Sequence, residues 1–208
     1  MRGQPAVIVL AAGSGSRFRG AGHKLLQPLR HASVLGSTLD HAAASGLPVI
    51  VVTTEALVEV ASAHVDRARV VVVPTVGSAD GLPLGMGYSI ASGVSAAAHA
   101  SGWLLLPADM PLVRPETLRL VGHCLAEHPV AYAQHRGRRG HPVGFAAELY
   151  SELVTLRGDD GARRIVARYP AFGVEVDDPS VLIDVDTEAD LARLRGLQPE
   201  QRIPIAPL

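Results

Sequence analysis

AVIVLAAGSGSRFRGAGHK, residues 6–24, opens with seven apolar residues, Ala6 to Ala12, and then breaks into glycine. The apolar run is far too short to cross a membrane and rich enough in Val and Ile to form a buried strand. Gly13, Gly15, Gly20 and Gly22 follow, interleaved with Ser14, Ser16, Arg17 and Arg19 and closed by Lys24. Glycine lets bare backbone N–H groups approach an anion, and Arg and Lys neutralise it. The stretch therefore reads as the first strand of a sheet followed by a phosphate-holding loop, with a plain tight turn as the alternative.

Outward from that strand, the chain alternates. Ser33 to Ser45 carries apolar residues at helical spacing with Gly46 just beyond, and PVIVVT (Pro48 to Thr53) is a second β-branched run. A helix over about Glu55 to His64 and a third run, Val70 to Val73, come next. Strands alternating with helices predict a mostly parallel sheet covered on both faces, a Rossmann-like three-layer α/β/α class. Pro74 to Gly87 is glycine-crowded and reads as a functional loop, after which Tyr88 to Ala100 resumes as a helix. Trp103 to Leu106 is a fourth strand and sets Asp109 just past its C-terminal end, the edge of an open parallel sheet where ligands bind. Helix Pro115 to Glu127 and strand Val130 to Gln134 continue the pattern. HRGRRGHPVGF then gathers Arg136, Arg138, Arg139 and His141, and GDDGARRIVARY reads as a turn opening a helix that carries Arg163 and Arg164. A last strand is expected over about Val181 to Val185. Thr187 and Asp190 then form a partial capping box for a helix buried through Leu191 and Leu194.

Composition bounds the rest. With 208 residues, 48% hydrophobic and 19% charged, the chain can bury a full core, and one domain over 1–208 is expected, with about 199–208 as a flexible tail. A net charge of −1 with scattered Lys and Arg argues against nucleic acid as a partner, and no stretch suits a membrane. The one cysteine, Cys124, fits a reducing compartment, and Arg2 before a short apolar run is not read as a signal peptide because that run supports the glycine loop. A cytoplasmic protein is expected. Cys124 and His128 are spaced i, i+4, but two ligands make no zinc site.

Spacing decides between phosphate motifs. A dinucleotide fingerprint needs a small third residue where this chain has Phe18, and a P-loop needs Lys then Ser or Thr directly after its last glycine, where Ala21 and His23 stand. A longer basic loop wrapping a triphosphate remains. LAAGSGSRFRGAGHKLLQPL resembles the L-A-[AG]-G-x-[SG]-x-R-[ML]-G-x-x-K signature of the MobA-like nucleotidyltransferases. GMGYSIASGV, LLLPADMPLV, RGHPVGF, GDDGARRIV and DVDTEADL resemble further elements of that family in the same order, from about Ala6 to Leu194. Phe18, Arg19, the wide Arg17-to-Lys24 spacing and Pro107-Ala108 depart from its pattern.

The resemblance implies a fold of the nucleotide-diphospho-sugar transferase type. Ala-Ala-Gly at the first loop and Gly-Met-Gly-x-Ser at the second are similar to the molybdenum-cofactor cytidylyltransferase branch, with Ala12 as the discriminating residue. That branch implies transfer of CMP from CTP to the terminal phosphate of molybdopterin, with pyrophosphate released, and a molybdoenzyme as client. A guanylyltransferase using GTP, a sugar-phosphate nucleotidyltransferase, or a non-catalytic carrier of the cofactor are the alternatives. Leu10, Ala11, Ala12, Gly13, Gly15, Ser16, Arg17, Lys24, Gly85, Met86, Gly87 and Ser89 are the implied nucleotide-binding residues, with Arg17, Lys24 and Asp109 as the catalytic set. Arg17 and Lys24 suit the β and γ phosphates, where charge accumulates on the leaving group. Asp109 fits Mg²⁺ as a hard oxygen ligand, with Asp184 or Asp186 as its partner. Arg139, Gly140, His141, Pro142 and Arg163 are the implied acceptor residues, with a solvated hairpin tip and a structural histidine as the plainer readings.

Overall fold

The computed structural model describes residues 3–13, 18, 22–74 and 84–196. Its elements are β1 (Ala6–Ala11), a small hairpin of β2 (Pro28–Leu29) and β3 (Ala32–Ser33), α1 (Val34–Ala44), β4 (Val49–Thr53), α2 (Val58–Ser62), β5 (Val70–Val72) and α3 (Gly85–Ala96). There follow β6 (Gly102–Pro107), α4 (Pro115–Cys124), β7 (Val130–His135), β8 (Arg138–Ala146), α5 (Tyr150–Leu153), α6 (Arg163–Arg168), β9 (Ala171–Glu175) and α7 (Glu188–Gly196). The main sheet runs in the order β5-β4-β1-β6-β8-β7-β9, with β8 antiparallel to both its neighbours and every other pairing parallel.

Successive side chains of a strand point to opposite faces, and β1 uses both. Val7, Val9 and Ala11 pack with Leu35, Leu39, Leu118, Val121, Leu191 and Leu194, the buried stripes of α1, α4 and α7. Ala6 and Ile8 pack with Ile90, Val94, Leu153 and Ile165, from α3, α5 and α6. The result is the expected three-layer sandwich with a mostly parallel sheet. Ser33 caps α1 by accepting from the Gly36 amide, and Thr187 and Asp190 cap α7 reciprocally, each side chain accepting from the other's amide.

The structure differs from the sequence reading at four places. Val181 to Val185 is not a strand: Pro179–Leu182 is a 3₁₀ turn, because Asp178 accepts from the Ser180 amide and Pro179 favours a first-turn position. Val181, Ile183 and Val185 are buried as an apolar run should be, yet the Val185 amide donates to the Asp109 carbonyl instead of to a sheet neighbour. The second is β8, over RRGHPVGFA, a stretch to which the sequence assigns no element. Gly140 lies so close to the Val181 carbonyl that a Cβ would sit 2.2 Å from its oxygen, and Gly144 lies against Leu104 and Leu125. Those glycines admit neighbours to a central strand, and Pro142 falls in the stretch where the β7 register shifts between Tyr132 and Gln134. Third, β9 carries no strong strand pattern but pairs along β7 from Val130–Ala171 to Gln134–Glu175. Fourth, α3 begins at Gly85 rather than Tyr88, so the Gly-Met-Gly element forms its first turn.

Gly93 marks a close helix-to-sheet contact, since a Cβ there would meet Ile8 Cγ2 at 2.4 Å and Val52 Cγ2 at 2.8 Å. Gly93→Ala should therefore destabilise the protein by about 1–3 kcal/mol through overpacking, read as a lower urea midpoint at unchanged m. A midpoint equal to the parent's would show that β1 and β4 yield freely under α3.

His41 on α1 supplies a second check. Burial pushes its ring below the ordinary histidine pKa, against the raising effects of Asp40, a hydrogen bond to the Val113 backbone, and Asp178; Arg30 adds to the lowering. Below about pH 6.5 the unfolded chain takes up a proton that the folded ring resists, so stability should fall as pH drops through that range. His23 and His141 are lowered by burial as well and act in the same direction. In His41→Gln, the slope of unfolding free energy against pH between 7 and 5 should be shallower but not zero; an unchanged slope would remove His41 from this account.

Candidate active site

The parallel pairing of β1 with β6 brings two strand ends to one edge. The Ala108 amide donates to the Leu10 carbonyl at 3.1 Å, joining the segment after β6 to the end of β1. Thr38 Oγ1, buried on α1, donates to the Ala108 carbonyl at 2.8 Å and to the Val34 carbonyl at 3.1 Å. Asp109 is thus held from two sides, and its own carbonyl accepts from the Val185 amide at 2.9 Å. That last bond draws the 184–186 segment to the same edge.

Lys24 arrives from a third direction. It begins a 3₁₀ turn, Lys24–Leu26, pinned by buried Leu25 and capped by His23, whose Nδ1 accepts from the Leu25 amide at 3.2 Å. The His23 ring also hydrogen-bonds to the Gly13 backbone, tying the turn to the glycine loop's first residue. From this base Lys24 Nζ donates to Asp109 Oδ2 at 2.7 Å and to Asp186 Oδ1 at 3.0 Å. The three side chains are mostly covered, at 11%, 19% and 22% exposure. Burial works against the Lys24 charge, but the hydrogen bonds and charges of Asp109 and Asp186 outweigh it and hold its pKa above the ordinary value.

Asp186, not Asp184, shares the lysine with Asp109. Asp184 is exposed, and partial desolvation together with the charges of Asp109 and Asp186 pushes its carboxyl above the usual range. Asp109 Oδ1 is buried and has no hydrogen-bond partner among the described residues. Among the described residues no group of three or more His, Cys, Asp or Glu is arranged to hold a metal ion. The fit to a divalent cation rests on two carboxylate oxygens converging on one positive centre and a third buried oxygen left unsatisfied. Mg²⁺ commonly takes such a pair and completes its shell with water and substrate phosphates.

The remaining expected site residues fall into separate groups. Leu10 and Ala12 are half-buried, Ala11 is buried and Gly13 is exposed with open space where a Cβ would be. Gly15, Ser16 and Arg17 lie outside the described residues. Gly85 and Gly87 pack on the backbone of Arg157 and Gly158, the Gly87 amide donating to the Gly158 carbonyl at 2.8 Å, so the Gly-Met-Gly and Gly-Asp-Asp-Gly elements meet. Met86 is exposed beside Gly161, and Ser89 is buried. Arg163 is exposed at the start of α6, directly after that loop. Arg139 is exposed, its guanidinium 4.4 Å from the centre of the Tyr132 ring. Gly140 and Pro142 are buried against neighbours. Between them, the His141 ring is pushed below its ordinary pKa by burial, lies within the field of Asp109, and leaves Nδ1 buried without a partner among the described residues.

Sequence reading overlooked three supporting residues. Thr38 stands out as a polar residue in the apolar stripe Val34, Leu35, Leu39 and Ala42, which is a usable signal. Asp178, almost fully buried, accepts from the Arg114 amide, Thr117 Oγ1 and Ser180 Oγ and fixes the turn leading to Asp184 and Asp186. His23 precedes Lys24 directly. Lys24, expected as a catalytic residue, is the only lysine in the chain beside eighteen arginines.

The chain is similar to known proteins over most of its length. Residues 7–172 match the model of the MobA-like NTP transferase domain. A bifunctional protein GlmU from Halorhodospira halophila is 38% identical over 120 residues, 57% of this chain and 24% of that protein, so the match spans about a quarter of the relative. Among solved structures, Rv0371c of Mycobacterium tuberculosis in complex with manganese is 30% identical, with a TM-score of 0.73 over 93% of this chain and 98% of that one. The molybdopterin-guanine dinucleotide biosynthesis protein A of Archaeoglobus fulgidus, at 18% identity, TM-score 0.66 and coverage of 91% and 96%, shares the fold. The sheet order and its two helical layers are those of the nucleotide-diphospho-sugar transferase fold. With the matched region running from β1 into β9 and enclosing Lys24 and Asp109, this chain belongs to the MobA-like NTP transferase family.

Proposed function

We propose that residues 1–208 form one nucleotidyltransferase domain that transfers CMP from CTP to the terminal phosphate of molybdopterin, with Mg²⁺ as cofactor and pyrophosphate as the second product. The observation that carries the reading is the meeting of Lys24, Asp109 and Asp186 at the ends of β1 and β6. The manganese complex of Rv0371c supports a divalent cation in this family. Ala12 in Leu-Ala-Ala-Gly supports CTP, and the family membership supports a phosphate-bearing acceptor.

The reaction joins an acceptor phosphate oxygen to the α-phosphorus of the nucleotide and breaks the bond from that phosphorus to the bridging oxygen of the β-phosphate. Both partners are anions, so the protein's task is to hold like charges in line and neutralise what develops on the leaving group. Asp109 and Asp186 are the carboxylates that would hold Mg²⁺, which when bound supplies charge neutralisation at the phosphates. Lys24, pinned through Leu25 and His23, reaches the β and γ phosphates together with Arg17. An acceptor phosphate is already ionised at neutral pH, so no general base is assigned. Arg139, His141 and Arg163 are the candidate acceptor contacts, and the N-terminal turn of α3 faces the nucleotide.

Incubation with each of the four NTPs and molybdopterin, followed by pyrophosphate release, tests the reading. CTP should be preferred; preference for GTP would overturn the reading of Ala12, and turnover only with a sugar phosphate would replace the acceptor. Asp109→Asn should lose at least about 100-fold in kcat while keeping the parental melting temperature. Parental pyrophosphate release by that variant would remove Asp109 from the metal site.

A further inference from the structure

We propose that Lys24 is a placeholder cation: its ammonium holds Asp109 and Asp186 together until a divalent cation takes their oxygens, and the displaced side chain is then free for the triphosphate. The inference rests on the reading of Asp109 and Asp186 as the metal carboxylates, and it adds that metal and lysine compete for them.

Three observations carry it. First, Asp109 Oδ2 and Asp186 Oδ1 lie 2.7 Å and 3.0 Å from one nitrogen, so the ammonium stands where a cation shared by both carboxylates would stand. Two partly covered carboxylates with Asp184 nearby repel one another, and a positive charge between them offsets that cost. Second, the match is incomplete, because Asp109 Oδ1 is buried without a partner among the described residues. An ammonium donates along three directions from one point, whereas a divalent ion offers twice the charge and draws carboxylate oxygens to about 2.1 Å. Both cannot occupy the space between the same two oxygens. Third, the exchange needs no rearrangement of the chain. Leu25 and His23 fix the backbone of the Lys24 turn, Thr38 and the Val185 amide fix Asp109, and the four-carbon stem of lysine is the flexible part.

The consequence is an order of events. Metal alone has to displace the lysine, so it binds the free protein weakly. Metal arriving with a triphosphate gives the released ammonium a new anionic partner and binds more tightly.

Lys24 being the only lysine makes this directly measurable. Binding of Mn²⁺ alone, followed by electron paramagnetic resonance, should be at least about 10-fold tighter in Lys24→Met than in the parent, the scale on which one adjacent charge acts in a partly covered site. Equal or weaker binding by Lys24→Met, or binding by neither protein, would overturn the proposal. Should that variant fail to fold, lysine-selective ¹⁵N labelling of the parent gives one side-chain ammonium signal. Held by two carboxylates, it should be shielded from water exchange without metal and lose that shielding as Mg²⁺ is added; a signal unchanged at saturating Mg²⁺ would equally overturn it. Neither measurement uses CTP or molybdopterin. Absence of turnover with every NTP would therefore sink the transferase reading while leaving the competition to be judged by its own results.

Discussion

Carboxylates gathered at one edge of a sheet repel, and a fold that assembles them must supply a counter-charge from somewhere. Here Lys24 supplies it from a turn that is distant in sequence from both Asp109 and Asp186. What aims these three groups is a small set of hydrogen bonds to backbone: a strand-end amide bonded to Leu10, a threonine hydroxyl on Ala108, the Val185 amide on Asp109, and the His23 ring on the Leu25 amide. The apolar layers on each face of β1 fix where those strand ends lie, so the hydrophobic core sets the spacing of the charges. Stability and chemistry are linked through positions that touch no ligand.

Much of this was legible in the sequence, for physical reasons that differ from residue to residue. β1 was readable because a short β-branched run breaking into glycine has few other meanings. Asp109 was readable because an apolar strand ran straight into it. β8 was not, since Gly140, Gly144 and Pro142 look like loop residues until Val181 and Leu104 are seen pressing on the backbone they leave bare. The run Val181 to Val185 misled in the opposite sense: its apolar side chains are buried, but Asp178 and Pro179 turn the backbone away from the sheet. Nor did spacing separate Asp184 from Asp186, because residues two apart share a face in extended chain and only the tether from Val185 to Asp109 shows which one meets the lysine.

The Gly-Met-Gly element shows how one motif serves two requirements. Its glycines admit the 157–158 backbone against the first turn of α3, and the same turn lies at the sheet edge that carries the charged cluster. A side chain at Gly85 or Gly87 would push the Gly-Asp-Asp-Gly loop outward, so two elements separated along the chain depend on each other's lack of side chains.

β8 runs against the rest of the sheet, and this gives the site two kinds of scaffold. The ends of β1 and β6 are parallel, locked by neighbours on both sides, and cannot lengthen without shifting the core register. The Arg138–His141 segment instead enters from a hairpin whose tip, Arg136 and Gly137, is exposed and turns through positive φ angles. Such a tip tolerates insertion and deletion far better than a strand end does. The cation-and-carboxylate half of this edge is thus mechanically fixed, while the half lined by the hairpin is free to be reshaped, and a lineage can remodel it while the charged cluster stays where it is.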